Sequence, residues 1–163
     1  MEELDILVQL RQIYADYLSE LEKLRASLKL TDGLFGFGRS PGNDPCHARF
    51  MDTLEKALAD FAAQEPASDT VSQALGFIFE AAQDSKSGSL SYWMLLAVHG
   101  LTGGLIGRLS ETDAVKLSER YAALYPGYRQ LPVQKDIAAK LRAASGRPPE
   151  QKKRLLSFFT RRQ

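Results

Sequence analysis

A chain of 163 residues, 44% hydrophobic and 25% charged, has the size and composition of one globular domain. It can bury about 70% of the surface that its unfolded form exposes, so neither a disulfide nor a metal is required to hold it together. The net charge of +1 conceals an asymmetry: Lys140 to Gln163 hold eight Lys/Arg against one acid and carry +7, while residues 1–139 carry −6.

The start, Met1-Glu-Glu-Leu-Asp5, has no basic stretch leading into an apolar one, so no secretory signal is read there. The lone Cys46 excludes an internal disulfide, and cytoplasmic is the expected location.

Residues 3 to 29 predict one long helix, because Leu7, Leu10, Tyr14, Tyr17, Leu21, Leu24 and Leu28 alternate spacings of three and four. Ile6, Ile13 and Leu18 widen that seam, which favours packing inside a bundle over a bare two-stranded coil. A seam for a second copy or another protein is the competing reading.

The pattern then collapses into a stretch with glycines at 33, 36, 38 and 42 and prolines at 41 and 45. Leu34, Phe35 and Phe37 are rare in solvated linkers, so this loop is expected to fold back on the core.

Asp44 as N-cap and Pro45 as first helical residue announce a second helix through Phe50, Leu54, Leu58 and Phe61 to about Gln64. A third, from Ser68 or Asp69, places Val71, Ala74, Leu75, Ile78, Phe79 and Ala82 on its apolar face.

The run from Leu90 to Gly107 is the most apolar segment, uncharged between Lys86 and Arg108. As one helix it lines up Trp93, Ala97, Gly100, Gly104 and Gly107, with Tyr92, Leu96, His99 and Gly103 beside them. Its four glycines cost roughly 4 kcal/mol in helix propensity, which close approach of the alanine-rich third helix is expected to offset. A membrane span needs about 20 mostly apolar residues, and this run is shorter and contains His99 and Thr102, so a buried central helix is expected and no transmembrane span, a helix that breaks near Gly103-Gly104 being an alternative.

Ser110-Glu-Thr-Asp113 reads as a capping box opening a fifth helix with Val115, Leu117, Tyr121 and Leu124 buried. A sixth runs from about Pro132 to Ser145 with Val133, Ile137 and Leu141 inward, and Gly146-Arg-Pro-Pro149 closes the compact part. The class is all-α. The chain is a compact bundle of about six helices around a buried glycine-rich central helix, with residues 1–146 as one domain and 147–163 as a hinge and a basic amphipathic tail or extra helix.

Chemistry is sparsely written. The Gly36-to-Asp44 stretch can offer backbone N–H groups and Arg39 to an anion, but it lacks the Gly-Lys-Ser/Thr ending of a phosphate loop. Cys46, His47 and His99 lack ligand spacing on any one element, so no metal and no cofactor is expected.

His99, on an apolar helix, reads first as a core histidine bonded to a neighbour such as Tyr92. Arg39, Asp44, His47, Tyr92 and His99 form the candidate ligand site, where the loop would meet the central helix. Lys152, Lys153, Arg154, Phe158, Phe159, Arg161 and Arg162 form the candidate contact surface of the tail, for a protein partner, a lipid surface or a nucleic acid. The leading expectation is a helical interaction or regulatory module rather than an enzyme, self-associating or binding another protein. A small-molecule site in the 33–50 loop is the alternative.

Overall fold

The computed structural model describes residues 2–27, 46–81 and 92–148, and all of its described elements are helical. They are α1 (Glu2–Ser27), α2 (His47–Ala63), α3 (Ser68–Ala81), α4 (Tyr92–Gly100), α5 (Gly103–Ile106), α6 (Glu111–Leu124) and α7 (Pro132–Ala144), with a 3-10 turn at Gly127–Arg129 between the last two. None of these helices is long and apolar enough to cross a membrane.

The periodic seam of α1 is spent inside the molecule. Ile6, Leu10, Ile13, Tyr14, Tyr17 and Leu21 are buried against α2 and α3, while Asp5, Gln12, Asp16 and Glu22 face outward. Phe50 stacks on Tyr17 with centroids 4.4 Å apart and meets Tyr14 edge-on at 5.2 Å, and Arg49 pairs with Glu20 at 2.8 Å. Late residues of α1 thus meet early residues of α2, so the two run antiparallel. The four-residue connection 64–67, with Glu65 at φ 51°, turns the chain back into α3, which is therefore parallel to α1.

Helix α6 lies parallel to α3. Ser68 and Ser110 meet at their starts, and further along Glu80 pairs with Arg120 while the Tyr125 hydroxyl donates to the Phe79 carbonyl at 2.8 Å. Gly76 leaves room for the Arg120 guanidinium to cross α3 toward Glu80.

The cap read from Ser110 is present, with Ser110 Oγ accepting from the Asp113 N–H at 3.2 Å. A capping box would return the Ser110 N–H to the Asp113 side chain. Here that N–H donates instead to Ser68 Oγ at 2.6 Å, and Ser68 donates to the Asp113 carboxylate at 2.5 Å, which ties two helix starts together.

Helix α7 opens with Pro132 in its first turn, and the Leu131 N–H donates to Gln134 Oε1. It runs back along α6, and the turn after it holds Gly146 at φ +67°, a conformation that glycine adopts without strain, with the Glu111 carboxylate close by. Gly146→Ala is therefore expected to cost about 1–2 kcal/mol, because it forces an L-residue into the left-handed region. Urea denaturation measures it, and a neutral result would mean that this turn readily takes another conformation.

The expected central helix departs from its outline. Residues 92–106 form two helices broken at Leu101 and Thr102, where the Leu101 N–H bonds Val98 O, the Thr102 N–H bonds His99 O and the Leu105 N–H bonds Thr102 O, all in the tighter i→i+3 pattern. Thr102 Oγ1 also donates to the His99 carbonyl at 2.7 Å. That hydroxyl competes with helix continuation between two glycines that contribute little propensity of their own.

The segment is central all the same. Met94, Leu95, Val98, His99, Leu105 and Ile106 are buried, and it packs on α3 and α7. The glycines do not provide that packing: Gly100, Gly104 and Gly107 lie on the exposed side, with no neighbour within 4 Å of where a Cβ would sit. Of the four, Gly103 alone is approached closely, by the Lys140 ammonium.

Candidate functional site

Of the expected ligand-site residues, Arg39 and Asp44 lie outside the described residues, as does the tail from Lys152 to Arg162. His47 is the first residue of α2 and half-buried, next to Cys46 at the helix start. Tyr92 is the first residue of α4.

His99 lies one helix length further in, with none of its surface exposed. Its ring is enclosed by Tyr125 at 5.1 Å, Phe79 at 5.2 Å and Tyr121 at 5.8 Å between centroids. Tyr121 in turn meets Phe79 at 4.8 Å and Tyr125 at 4.9 Å, so the four rings form one cluster.

His99 Nδ1 shares a hydrogen bond of 3.2 Å with the Tyr121 hydroxyl, and Nε2 has no hydrogen-bond partner among the described residues. Burial pushes the imidazole from its ordinary 6.5 down to about 4, since a charged ring would lose its hydration there. The same burial, with Tyr125 adding to it, raises the Tyr121 and Tyr14 phenols above their usual range. The histidine is therefore neutral near pH 7.

The sequence points to a core histidine with a hydrogen-bonded neighbour, and the neighbour is Tyr121. That partner stands 22 positions away, beyond the reach of helix periodicity. A weak signal was present: Tyr121 and Tyr125 are four apart and share a helix face.

A second feature escaped the sequence altogether. Ile13, Asp16, Tyr17, Glu20, Arg49, Phe50 and Thr53 line a shallow cleft of about 90 Å³ between α1 and α2. It is well below the roughly 300 Å³ at which small-molecule pockets begin. Its floor is aromatic and its rim carries the exposed Glu20–Arg49 pair.

The Asp113 carboxylate is held below its usual range by the hydroxyls of Ser68 and then Ser110, a structural role at the start of a helix. No group of three or more His, Cys, Asp or Glu side chains among the described residues is placed to hold a metal ion. Comparison with protein-family models, with curated proteins and with solved structures gave no match to this chain.

Proposed function

We propose that this protein is a cytoplasmic helical interaction module, in which the bundle is a rigid holder and the basic segment 149–163 is the contact surface. One observation carries the reading. The middle of the α1 seam, Leu10, Tyr14, Tyr17 and Leu21, the other surface that the sequence offers to a partner, is buried within the chain itself. Among the large hydrophobic side chains of the described residues, Val8 and Tyr128 remain exposed, too few for a contiguous apolar face.

The segment has what the described surface lacks. Five Lys/Arg against one acid stand beside Leu155, Leu156, Phe158 and Phe159. It begins where Pro148 is fastened, through its carbonyl to Arg142 and through the neighbouring Arg147 to Glu119.

Light scattering and pull-downs should compare the full chain with a chain ending at Pro148, which keeps those two anchors. The expected result is a partner, or a second copy, retained by the full chain and lost on truncation. A strictly monomeric full chain that retains nothing, or identical behaviour of the two chains, defeats the reading. Binding only to anionic vesicles, abolished by salt, reassigns the segment to a membrane surface.

A second reading, an anion-binding site of Arg39, Asp44, His47, Tyr92 and His99, is supported by the glycine-rich stretch with Arg39 that leads directly into the start of α2 at His47. Calorimetric titration with inorganic phosphate decides it: binding lost in Arg39→Ala supports it, and no heat of binding removes it.

A further inference from the structure

We propose that the α4–α5 joint is an acid-sensitive latch: the neutral His99 ring, wedged among Phe79, Tyr121 and Tyr125, holds α4 and α5 on the bundle and releases them when it takes up a proton. The geometry makes the neutral ring the only comfortable one. In the Nδ1–H tautomer the single ring N–H donates to the Tyr121 hydroxyl and Nε2 is left without a proton to place. A second proton puts an N–H on both nitrogens. Tyr121 must then accept, and Nε2–H faces a wall that supplies no acceptor among the described residues. The cation is also sealed from water, the ring being wholly buried.

No opposite charge among the described residues faces it. From α6 and its end, Tyr121 and Tyr125 face the ring, and burial raises the Tyr121 phenol above its usual range, so that it brings no charge. From α3, Phe79 faces it, while the adjacent Glu80 is exposed and paired with Arg120. Helix α7 brings Lys140, a further cation, which lies against Gly103 and pairs with Asp136. Asp113 belongs to the far end of α6, bound by Ser68 and Ser110.

The element that would yield is also marked. Helix α5 is a single turn of four residues, joined to α4 through the Thr102 bond to the His99 carbonyl, and the outer side of the pair carries the exposed Gly100, Gly104 and Gly107. Such a pair has little helical stability apart from its inner face, so local opening there needs less free energy than unfolding the long α1–α2 pair.

The sign follows from linkage. The folded pKa of about 4 lies below the ordinary 6.5, so the open form binds more protons in between. The closed form is favoured in full above 6.5 and loses ground as pH falls through that window. The opening equilibrium of α4–α5 should rise about 20-fold from pH 7 to pH 5.

The full chain has two histidines, so proton NMR of the imidazole signals with amide exchange by residue reads the device directly. His99→Gln assigns the signals, or His47→Gln if the first variant does not fold. The expected result is a His99 signal that stays neutral down to pH 5. Over the same range α4–α5 amides, corrected for intrinsic exchange, open about 20-fold more, while those of α1 and α2 hold constant. A His99 signal titrating near 6.5 overturns the proposal, as does pH-independent opening of α4–α5. So does a parallel rise in α1 and α2, which would mean that the whole bundle yields together.

Discussion

Leu10→Asp is expected to leave the chain unfolded at neutral pH rather than folded and dissociated. Leu10 has no exposed surface and sits midway along the α1 seam. Removing its side chain alone costs about 2–5 kcal/mol. A carboxylate in its place adds several kcal/mol, because no lysine or arginine is buried among the described residues to compensate the charge. Domains of this size have about 5–15 kcal/mol in all, so the sum removes most or all of the stability. Circular dichroism at 222 nm with size-exclusion chromatography checks it. A variant that keeps its helix content while its mass falls from dimer to monomer would show instead that the seam joins two copies.

The second large effect is expected at Phe79. Its ring is 1% exposed and touches both His99 and Tyr121, and its carbonyl receives the Tyr125 hydroxyl. Phe79→Ala should cost about 3–5 kcal/mol, since the stiff rings around the vacated space collapse only partly. Urea denaturation gives the loss. The change should also bring water toward His99 and raise its pKa, which the imidazole NMR signal reports. A cost below about 1 kcal/mol would mean that the cluster repacks freely and does not hold α4 against α3 and α6.

How much of this was legible follows from where the information lies. The α1 seam, the Ser110 cap and Pro132 at the start of α7 are local: each is a spacing or a residue type whose physical effect acts within one helical turn. The architecture of all-α packing around an apolar centre follows from those signals.

The break at Leu101 and Thr102 was legible only as an alternative near Gly103 and Gly104, because a threonine beside glycines fits a continuous helix as well as a broken one until its hydroxyl is seen to reach the His99 carbonyl. The glycine face misled for a related reason. Small residues fit equally well against a neighbouring backbone or against water, and only the packing of α4 and α5 on their other side decides which. The Tyr121 partner of His99 and the link from Ser68 to Ser110 join residues brought together by the parallel run of α3 and α6, information that no short window contains. Of the candidate ligand residues, His47 and His99 could be recognised as the chain's two histidines, yet nothing in their spacing showed that one ring would be sealed by three others.

The parallel course of α1, α3 and α6 bears on the charge asymmetry. Three helix beginnings gather at the end of the bundle from which residue 148 departs, and each brings a partial positive charge of about half a unit from its unpaired N–H groups. Asp5 in α1, Asp69 in α3, and Glu111 and Asp113 in α6 are the acids that meet them. At this end of the bundle part of the acid charge is thus met by backbone dipoles, and the negative field projected from this end is weaker than its acids alone imply. The attraction that this end of the domain offers to the cations of 149–163 is reduced to the same extent.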